Sequence, residues 1–449
     1  MGRLFGTDGV RGVANSELTP ALAYKLGKAG AYILSRDNAR PVFIIGKDTR
    51  LSGDMLEDAL SAGILSVGGN VIKVGILPTP AVAHLVKAYG ADAGVVISAS
   101  HNPFEYNGIK FFKGDGFKLD DDIEDQIEDI IIRDTDVTRD IEGEKLGKRL
   151  SADEDALTLY AEYLKSTIDV DIKGVKLVLD CANGASYKVA EKVYRELGAD
   201  ITVIGNRPDG TNINDGCGST HPEKLQREVV KRGALLGLAY DGDADRLIAV
   251  DEKGRIIDGD KLICICAQMM KAKGALTDNL VTATVMSNIG FHKYIEAMGC
   301  KVDVTGVGDR YVLERMLQTG CQIGGEQSGH IIFLNHSTTG DGILSSLQLL
   351  QAVLMSGKKP SELADEIEIY PQVLKNARVK NENKKRYSSD ESIQAEIRKI
   401  EAEMEGQGRV LIRPSGTEPL VRVMIEGQDI ERITELAQQL ALLITKKFG

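Results

Sequence analysis

One supersecondary pattern occurs three times in this 449-residue chain and restricts the folds that are open to it. Each copy has an apolar strand, a loop, a helix, a glycine and a second apolar strand. The first strands of the copies are Val42–Gly46, Lys176–Asp180 and Leu280–Val285. Because these strands are apolar throughout instead of alternating, they indicate mixed, largely parallel sheets between helices. The copies are separated by about the length of a domain, so we expect three related α/β domains.

The segments between the copies predict the domain boundaries and a fourth, smaller domain. The acidic segment Asp120–Arg133 carries isoleucines at helical spacing, so we expect a helix that closes the first domain. The segment Lys375–Asp390 is charged and lacks a core pattern, which predicts a linker or a surface insertion. After it, helices and strands form an α+β unit without the repeated pattern. The predicted domains are residues 1–150, 151–257 and 258–368, each α/β, and residues 369–449, α+β.

The charge and the cysteines limit the partners and the compartment. The net charge of −11 argues against a general nucleic-acid or membrane-surface binder, so any phosphate must bind in a local cationic pocket. Cys264 and Cys266 form the only close pair among six cysteines, and their apolar neighbours indicate buried thiols in a reducing compartment. The amino terminus lacks an apolar signal region, and no apolar run approaches about 18 residues. We therefore expect a cytoplasmic protein without a membrane span.

The first candidate site lies where an apolar strand stops, in the segment Gly94–Pro103. Pro103 disfavours continuation as a helix, so Ser100 and His101 are expected in a loop at the carboxyl end of a core strand. Open α/β sheets bind ligands at that edge. A hydroxyl beside an imidazole is a candidate nucleophile with a polar helper, although a turn of small residues gives the same pattern.

The second candidate site is a group of three aspartates after the apolar run LLGLAY. Asp241, Asp243 and Asp245 alternate with small residues, so their carboxylates can converge on one divalent cation. A calcium loop of the EF-hand type does not fit, because Arg246 occupies the position where that loop has glycine. Mg²⁺ fits better, since it takes few carboxylates together with phosphate oxygens. The alternative is an acidic surface turn.

Three further loops carry polar groups suited to binding phosphate or hydroxyl groups. In the glycine-rich opening, Gly6–Gly12, Arg11 can reach a phosphate. Glu326 and Ser328 alternate in GEQSGH and can bind vicinal hydroxyls, and His330 can join them. The loop RPSGTEP offers a phosphate cradle formed by Arg413, Ser415, Gly416 and Thr417. The alternative for the first loop is a glycine-rich hairpin with a surface arginine. A turn that connects two strands explains the second loop about as well, whereas the crowding of donors favours phosphate binding at the third.

The motifs SASHNP, DGDADR, GEQSGH and RPSGTEP, one per domain and in this order, resemble those of the α-D-phosphohexomutase superfamily. The resemblance extends over the whole chain. The opening GTDGVRG, the segment Gly306–Tyr311 and Gln327 resemble the bacterial branch that acts on glucosamine phosphates. Relatives that act on glucose or mannose phosphates usually differ there. The family's serine loop often begins with threonine, where this chain has Ser98.

The resemblance implies an isomerase that carries Ser100 as a phosphoserine. Its phosphoryl group passes to the sugar, giving a 1,6-bisphosphate that turns over in the site, and the other phosphate returns to Ser100. Glucosamine 6-phosphate would thus become glucosamine 1-phosphate, a precursor of UDP-N-acetylglucosamine. The cofactor implied is one Mg²⁺ per chain, held by Ser100, Asp241, Asp243 and Asp245. A homodimer is also implied.

Charge counting predicts which residues must assist. Three aspartates and a phosphoserine of about −2 exceed the charge of Mg²⁺ by about three, which cations must balance. Arg246, Lys110 and Arg11 are expected to do so, with His101 as a polar partner. By resemblance, Lys110 or Arg11 takes the proton of the sugar hydroxyl, with His330 a weaker candidate, and the high pKa of arginine favours Lys110. The RPSGTEP loop would anchor the other phosphate across a cleft, on a hinged last domain.

Three other functions are open at this stage. The first is a mutase acting mainly on glucose or mannose phosphates, and the second is a Mg²⁺-dependent phosphatase that uses the same serine. The third is a phosphosugar sensor without activity, against which an intact nucleophile beside a metal site argues.

Overall fold

The computed structural model describes most of the chain in two compact units. The described residues are 4–6, 8–35, 40–138, 141–415 and 418–449, without the side chains of residues 153 and 154. The first unit consists of Met1–Met286 and Gly299–Asp365, and the second consists of Ser287–Met298 and Glu366–Gly449.

The first sheet has six strands in a mixed arrangement. Its strands are β1 (Val10–Val13), β2 (Val42–Lys47), β3 (Asn70–Ile76), β4 (Ala93–Ile97), β5 (Tyr106–Lys113) and β6 (Arg149–Ser151). Its helices are α1 (Pro20–Leu34), α2 (Gly53–Ser66), α3 (Thr79–Tyr89) and α4 (Asp121–Ile132). The order is β1-β5-β4-β2-β3-β6, with β2 parallel to both β3 and β4 and with β5 antiparallel to β4. The carboxyl ends of β2 and β4 therefore lie side by side.

Close packing of α1 on α2 depends on one glycine in each helix. A Cβ atom on Gly27 would lie 2.2 Å from the carbonyl oxygen of Leu60, and one on Gly63 would lie 2.2 Å from that of Tyr24. No side chain fits at these distances, so the two glycines allow the helix backbones to touch. Apolar residues of both helices then cover one face of the sheet.

The second sheet repeats the pattern and ends in an antiparallel hairpin. Its strands are β7 (Lys176–Asp180), β8 (Asp200–Ile204), β9 (Leu236–Tyr240), β10 (Leu247–Asp251) and β11 (Ile256–Ile257), in the order β11-β10-β9-β7-β8. Its helices are α5 (Asp153–Lys165), α6 (Val189–Glu196) and α7 (Glu223–Arg232). Strand β7 is parallel to β8 and β9, whereas β10 runs antiparallel to β9. The loop between β9 and β10 contains the three aspartates.

The third sheet is the last to contain the repeated pattern. Its strands are β12 (Leu280–Thr284), β13 (Lys301–Thr305), β14 (Ile323–Gly325) and β15 (Ile331–Phe333), in the order β13-β12-β14-β15. The helices in this part of the chain are α8 (Gly259–Ala272), α9 (Ile289–Ala297), α10 (Asp309–Thr319), α11 (Gly342–Ser356) and α12 (Pro360–Asp365), and α9 belongs to the second unit. Strand β12 is parallel to β13 and β14, and β15 is antiparallel to β14. The prediction of three α/β domains with mixed sheets between helices is confirmed.

The second unit contains an antiparallel sheet covered by helices. Its strands are β16 (Gln372–Arg378), β17 (Gly408–Pro414) and β18 (Leu420–Gly427), and its further helices are α13 (Glu391–Glu403) and α14 (Ile430–Phe448). Strand β18 pairs with both others. The prediction that Lys375–Asp390 is a linker or insertion is wrong for its first residues, because Lys375–Arg378 belong to β16. As an edge strand with alternate residues exposed, β16 tolerates charges that hide a core pattern.

Two further predictions concern the burial of the cysteines and the absence of a membrane-spanning helix. All six cysteines have free, buried thiols, which confirms the prediction for Cys264 and Cys266 on α8. In the part of the chain that the structure describes, no helix is both long and apolar enough to cross a membrane.

We predict that the helix α14 stabilises the second unit through its buried face. Leu440 is 0% exposed in the core, whereas Leu442 on the same helix is 58% exposed. Leu440→Ala should lower the free energy of unfolding by about 2–5 kcal/mol, because it leaves a cavity. The matched control Leu442→Ala should change it by less than about 0.5 kcal/mol. Urea unfolding followed by circular dichroism measures both, and equal losses would contradict the packing described.

Candidate active site

Ser100 lies in the loop that follows β4, and its hydroxyl faces an aspartate from the second sheet. Its φ angle of +53° puts the backbone in the left-handed region, which turns the chain sharply after the strand. The buried Oγ donates a hydrogen bond of 2.6 Å to Oδ2 of Asp241 and lies 3.3 Å from Nδ1 of His101. The loops that the sequence singled out for a nucleophile and for a cation therefore meet.

The guanidinium of Arg50 binds the backbone of the serine loop (Ser98–Tyr106). Its Nη2 donates to the carbonyl oxygens of Ser100 at 2.9 Å and of Asn102 at 2.8 Å. Its Nη1 donates to the carbonyl oxygen of Tyr106 at 3.0 Å and to that of Pro103. The guanidinium carries enough donors on separate nitrogens to bind these four carbonyl oxygens at once, whereas lysine has only three donors on one nitrogen.

The side chains of Asp48 and Asn214 also fix the serine loop through hydrogen bonds. The buried Asp48 accepts hydrogen bonds from Nε of Arg50 at 2.8 Å and from Oγ of Ser98 at 2.6 Å, and Ser98 Oγ accepts from the backbone N–H of Ser100 at 3.0 Å. Nδ2 of Asn214 donates to the carbonyl oxygen of Ser100 at 2.9 Å. The loop is thus fixed by both the first and the second sheet, which offsets the strain of its left-handed residue.

The carboxylates of Asp241, Asp243 and Asp245 converge at the end of β9. All three side chains are buried, and a ligand oxygen of each lies within 4.8 Å of the others. The glycine between the first two is required, since a Cβ on Gly242 would lie 2.4 Å from the carbonyl oxygen of Ser100. Ala244 adopts a φ of +56°, which bends the loop inward. These residues, Asp241–Arg246, are called the aspartate loop below.

The electrostatics of the aspartate loop fit a bound cation. Burial, with the charges of Asp245 and Asp243, raises the pKa of Asp241 well above its usual range. Burial and the charge of Asp243 likewise raise the pKa of Asp245. Among the described residues, Oδ1 of Asp243 and Oδ1 of Asp245 are buried without a hydrogen-bond partner. Buried carboxylate oxygens without partners are costly, and a hard divalent cation would satisfy them.

Lys110 lies between two aspartates. Its Nζ is 2.9 Å from Oδ2 of Asp243 and 2.9 Å from Oδ2 of Asp8. Burial disfavours its charge, but Asp243 and Asp8 outweigh burial and raise the pKa of Lys110 above its ordinary value. Asp8 also binds Arg11 and Lys118, with Oδ1 2.8 Å from Nζ of Lys118. Lys110 is therefore held as an ammonium in this arrangement.

Arg246 lies beside the aspartates, and His101 lies beside Ser100. The backbone N–H of Arg246 donates to Oδ1 of Asp241 at 3.2 Å, and its Nε lies 3.8 Å from Asp245. Burial, together with the positive charges of Arg246 and Arg11, lowers the pKa of His101 to about 4. His101 is therefore a neutral imidazole at physiological pH and offers a polar contact without a charge.

The loop Gly325–His330, which is predicted to bind the sugar and is called the sugar loop below, lies against the aspartate loop. Arg246 and His330 form an antiparallel bridge between the two backbones. Glu326 is half-buried and accepts a hydrogen bond of 3.1 Å from the backbone N–H of Gly308, whereas Ser328 is exposed. His330 is buried, and neither ring nitrogen has a hydrogen-bond partner among the described residues.

The predicted phosphate cradle lies in the second unit, at the turn between β17 and β18. Arg413 is half-buried at the end of β17, and the Oγ of buried Ser415 accepts a hydrogen bond of 3.2 Å from the backbone N–H of Glu418. Gly416 and Thr417 lie outside the described residues. Arg413 faces Arg422 directly across the strand pair, and burial together with that like charge lowers the pKa of Arg413. Two opposed guanidiniums favour binding of an anion.

Four residues of the site were not predicted from the sequence: Asp48, Arg50, Asn214 and Lys118. Asp48 and Arg50 belong to the loop KDTRLSG of the first repeated unit, after β2. Because β2 and β4 are parallel neighbours, their carboxyl-end loops must meet, and that signal could have found the pair. Asn214 and Lys118 follow no motif, and only the packing of the sheets brings them to the site.

Comparison with known proteins identifies a family over nearly the whole length. Family models described as phosphoglucomutase/phosphomannomutase match this chain four times. Alpha/beta/alpha domain I matches residues 2–138, domain II residues 158–254, domain III residues 258–370 and the C-terminal domain residues 374–443.

Individual relatives agree with the family models. The phosphoglucosamine mutase of Thermoanaerobacter sp. (strain X514) is 58% identical over 449 residues, covering 100% of both chains. A phosphoglucomutase/phosphomannomutase family protein from Burkholderia thailandensis has a similar fold, with a TM-score of 0.81, 23% identity and coverage of 100% of this chain and 98% of that chain. The N-acetylphosphoglucosamine mutase of Aspergillus fumigatus, solved with GlcNAc-6P and magnesium, gives a TM-score of 0.71 at 19% identity over 99% of this chain and 96% of that chain.

We predict that Arg50→Lys loosens the serine loop while the fold survives. The lysine keeps the charge but cannot bind four carbonyl oxygens, so amide hydrogen exchange in Ser98–Tyr106 should accelerate at least about tenfold, as expected for one lost hydrogen bond to a charged group. The control is Arg133→Lys, a substitution at a side chain that is 71% exposed. Unchanged exchange in the loop of Arg50→Lys would show that the guanidinium does not hold it.

Proposed function

The chain belongs to the phosphoglucomutase/phosphomannomutase family, and on that basis we propose that it interconverts glucosamine 6-phosphate and glucosamine 1-phosphate. It is an isomerase of the phosphohexomutase type. The proposed route uses a phosphoserine at Ser100 and a glucosamine 1,6-bisphosphate, and the product serves UDP-N-acetylglucosamine synthesis. The class of substrate in this proposal is a phosphosugar.

The observation that carries the proposal is the contact between Ser100 and the aspartate loop. The hydroxyl lies 2.6 Å from Asp241, in a cluster of carboxylates that retain oxygens without partners. A nucleophile beside a hard-cation site is the arrangement that phosphoryl transfer requires. The donor set supports Mg²⁺ as the cofactor, held by Asp241, Asp243, Asp245 and an oxygen on Ser100.

Mg²⁺ would supply positive charge to the phosphoryl group during transfer. The residues of the chain supply the rest. The phosphoserine at Ser100 first transfers its phosphoryl group to a sugar hydroxyl, which loses its proton. The freed serine oxygen then attacks the other phosphate of the bisphosphate and breaks its bond to the sugar, while the Arg50 contacts keep the serine loop in one position. Arg246 and Arg11 are proposed to bind phosphate oxygens, and the neutral His101 to orient the serine oxygen.

Lys110 has two proposed roles, and its surroundings favour one of them. Because Asp243 and Asp8 hold it as an ammonium, it can neutralise the transferring phosphoryl group directly. It can accept the proton of the sugar hydroxyl only after it has itself lost a proton, and the two neighbouring carboxylates oppose that loss. Arg11 and His330 are the alternative acceptors that the family resemblance leaves.

The substrate must bind in two orientations, since each end of the sugar is phosphorylated in turn. We propose that Glu326 and Ser328 bind the sugar hydroxyls in both poses. The distal phosphate would be anchored by Arg413, Ser415, Gly416 and Thr417. The domain limits 1–150, 151–257, 258–368 and 369–449 remain the proposed division, and we propose that the last domain hinges to exclude water from the phosphoenzyme.

The assembly and location are also proposals. We propose a homodimer in the cytoplasm, without nucleic-acid or membrane partners. The family resemblance supports the dimer, and six free thiols support a reducing compartment. Sedimentation velocity tests the dimer.

We predict that the purified enzyme converts glucosamine 6-phosphate with a higher kcat/KM than glucose or mannose 6-phosphate. Ser100→Ala should reduce turnover below about 10⁻⁴ of the wild-type rate, since the nucleophile is lost. Wild-type protein should carry about 80 Da on the tryptic peptide that contains Ser100, removable by phosphatase.

The control for this prediction is Ser16→Ala, at an exposed serine. It should keep both the activity and the added mass. A robust rate in Ser100→Ala would refute the phosphoserine route, and steady release of inorganic phosphate in place of the isomer would indicate a phosphatase.

We predict that Asp245→Asn weakens binding of Mg²⁺ at least about tenfold, a loss of about 1.4 kcal/mol. The substitution removes a charge and a buried carboxylate oxygen that has no partner among the described residues. Titration calorimetry with MgCl₂ measures this without turnover. Asp171→Asn, at an exposed aspartate, is the control, and equal affinities in the two variants would place the cation elsewhere.

A further inference from the structure

The turn before α10 contacts the sugar loop through its backbone. Gly308 has a φ of +129° and a ψ of 135°, a conformation that side chains oppose and glycine permits. In this conformation its N–H donates to Oε1 of Glu326 at 3.1 Å. The orientation of the half-buried Glu326 therefore depends on the turn.

The next residue, Asp309, faces a second polar residue of the sugar loop. Its Oδ2 lies 3.6 Å from Nε2 of His330 and accepts a hydrogen bond of 2.5 Å from Nζ of Lys118. The His330 ring is confined, because a Cβ on Gly340 would lie 2.5 Å from Nε2. The ring thus sits between a glycine and a carboxylate, and neither of its nitrogens has a hydrogen-bond partner among the described residues.

A series of alternating negative and positive side chains connects Asp309 to the aspartate loop. Lys118 bridges Asp309 and Asp8, at 2.5 Å and 2.8 Å. Asp8 in turn binds Lys110, which binds Asp243 of the aspartate loop, both at 2.9 Å. The turn is therefore linked to Lys110 through three successive ion pairs whose side chains are mostly buried.

We propose that Gly308 and Asp309 are positioning residues for the mutase reaction. They fix Glu326 and His330 relative to Lys110 and the aspartate loop, so that a sugar in either orientation presents its hydroxyl to the phosphoserine. The inference rests on the proposed function and adds residues to it that do not touch the reacting atoms. Misplacement of reacting groups by about 1 Å can cost about 10²-fold in rate, so such positioning has a measurable effect.

The alternative is that the ion pair between Asp309 and Lys118 only stabilises the contact between the first and third sheets. The two accounts differ in what a charge-removing variant does. Loss of stability alone would lower the melting temperature and leave the kinetics of the folded enzyme intact. Loss of positioning would change kcat/KM in protein that remains folded.

The test is Asp309→Asn, which keeps the shape and removes the charge. We expect kcat/KM for glucosamine 6-phosphate to fall about 10- to 100-fold. The phosphate content of Ser100 and the affinity for Mg²⁺ should stay at wild-type values. Gly308→Ala should act in the same direction through Glu326. The matched control is Asp303→Asn, which removes an ion pair of 2.6 Å with Arg315 on α10 and should leave kcat/KM within about twofold.

A double-variant cycle shows whether Asp309 acts through the histidine. Asp309→Asn combined with His330→Asn should lose no more activity than His330→Asn alone, because the two substitutions remove one unit. Additive losses, or Asp309→Asn within twofold of wild type, would overturn the proposal.

Assays of the wild-type protein on the three sugar phosphates distinguish failure of this inference from failure of the proposed function. If the wild type converts glucose or mannose phosphates but not glucosamine phosphates, the proposed substrate is wrong. The positioning role is then tested by the ratio of kcat/KM between each variant and the wild type, measured on the sugar that is converted. Conversion of none of the three would overturn both.

Discussion

The burial of three like-charged carboxylates is the constraint that the rest of the site depends on. Asp241, Asp243 and Asp245 offer oxygens within 4.8 Å of one another, where each pair of charges repels by about 3–4 kcal/mol at an effective dielectric constant of 20. A fold keeps such a cluster only if positive charge offsets it. Lys110 and Arg246 provide part of this positive charge. The carboxylate oxygens without hydrogen-bond partners show where further positive charge is needed.

The conformation of the serine loop has an energetic cost of its own, which other residues offset. Ser100 is held in the left-handed region, and the carbonyls around it point into the protein instead of into water. Arg50 offsets this cost with several hydrogen bonds from one rigid group, and Asn214 adds one from the second sheet. A serine that approaches Asp241 closely therefore depends on side chains outside the motif that contains it.

Much of the fold and part of the site could be predicted before the structure. Apolar strands in three copies determine the sheets and their helices, because strands buried on both faces leave a strong signal. Lys375–Arg378 escaped prediction, since an edge strand need not be apolar. Ser100 and the three aspartates follow apolar strands, which places them at sheet edges. Arg50 and Lys118 were missed because their partners are backbone carbonyls or residues far along the chain.

The sequence by itself determined the α/β layers, the motifs at the strand ends and the acidic character that requires a local excess of cations. Only the tertiary structure decided which loops meet. It joined Ser100 to Asp241, put Lys110 between Asp8 and Asp243, and linked Asp309 to His330. The physical reason is that hydrophobic periodicity fixes local elements, whereas pairing of buried charges depends on how separate sheets pack.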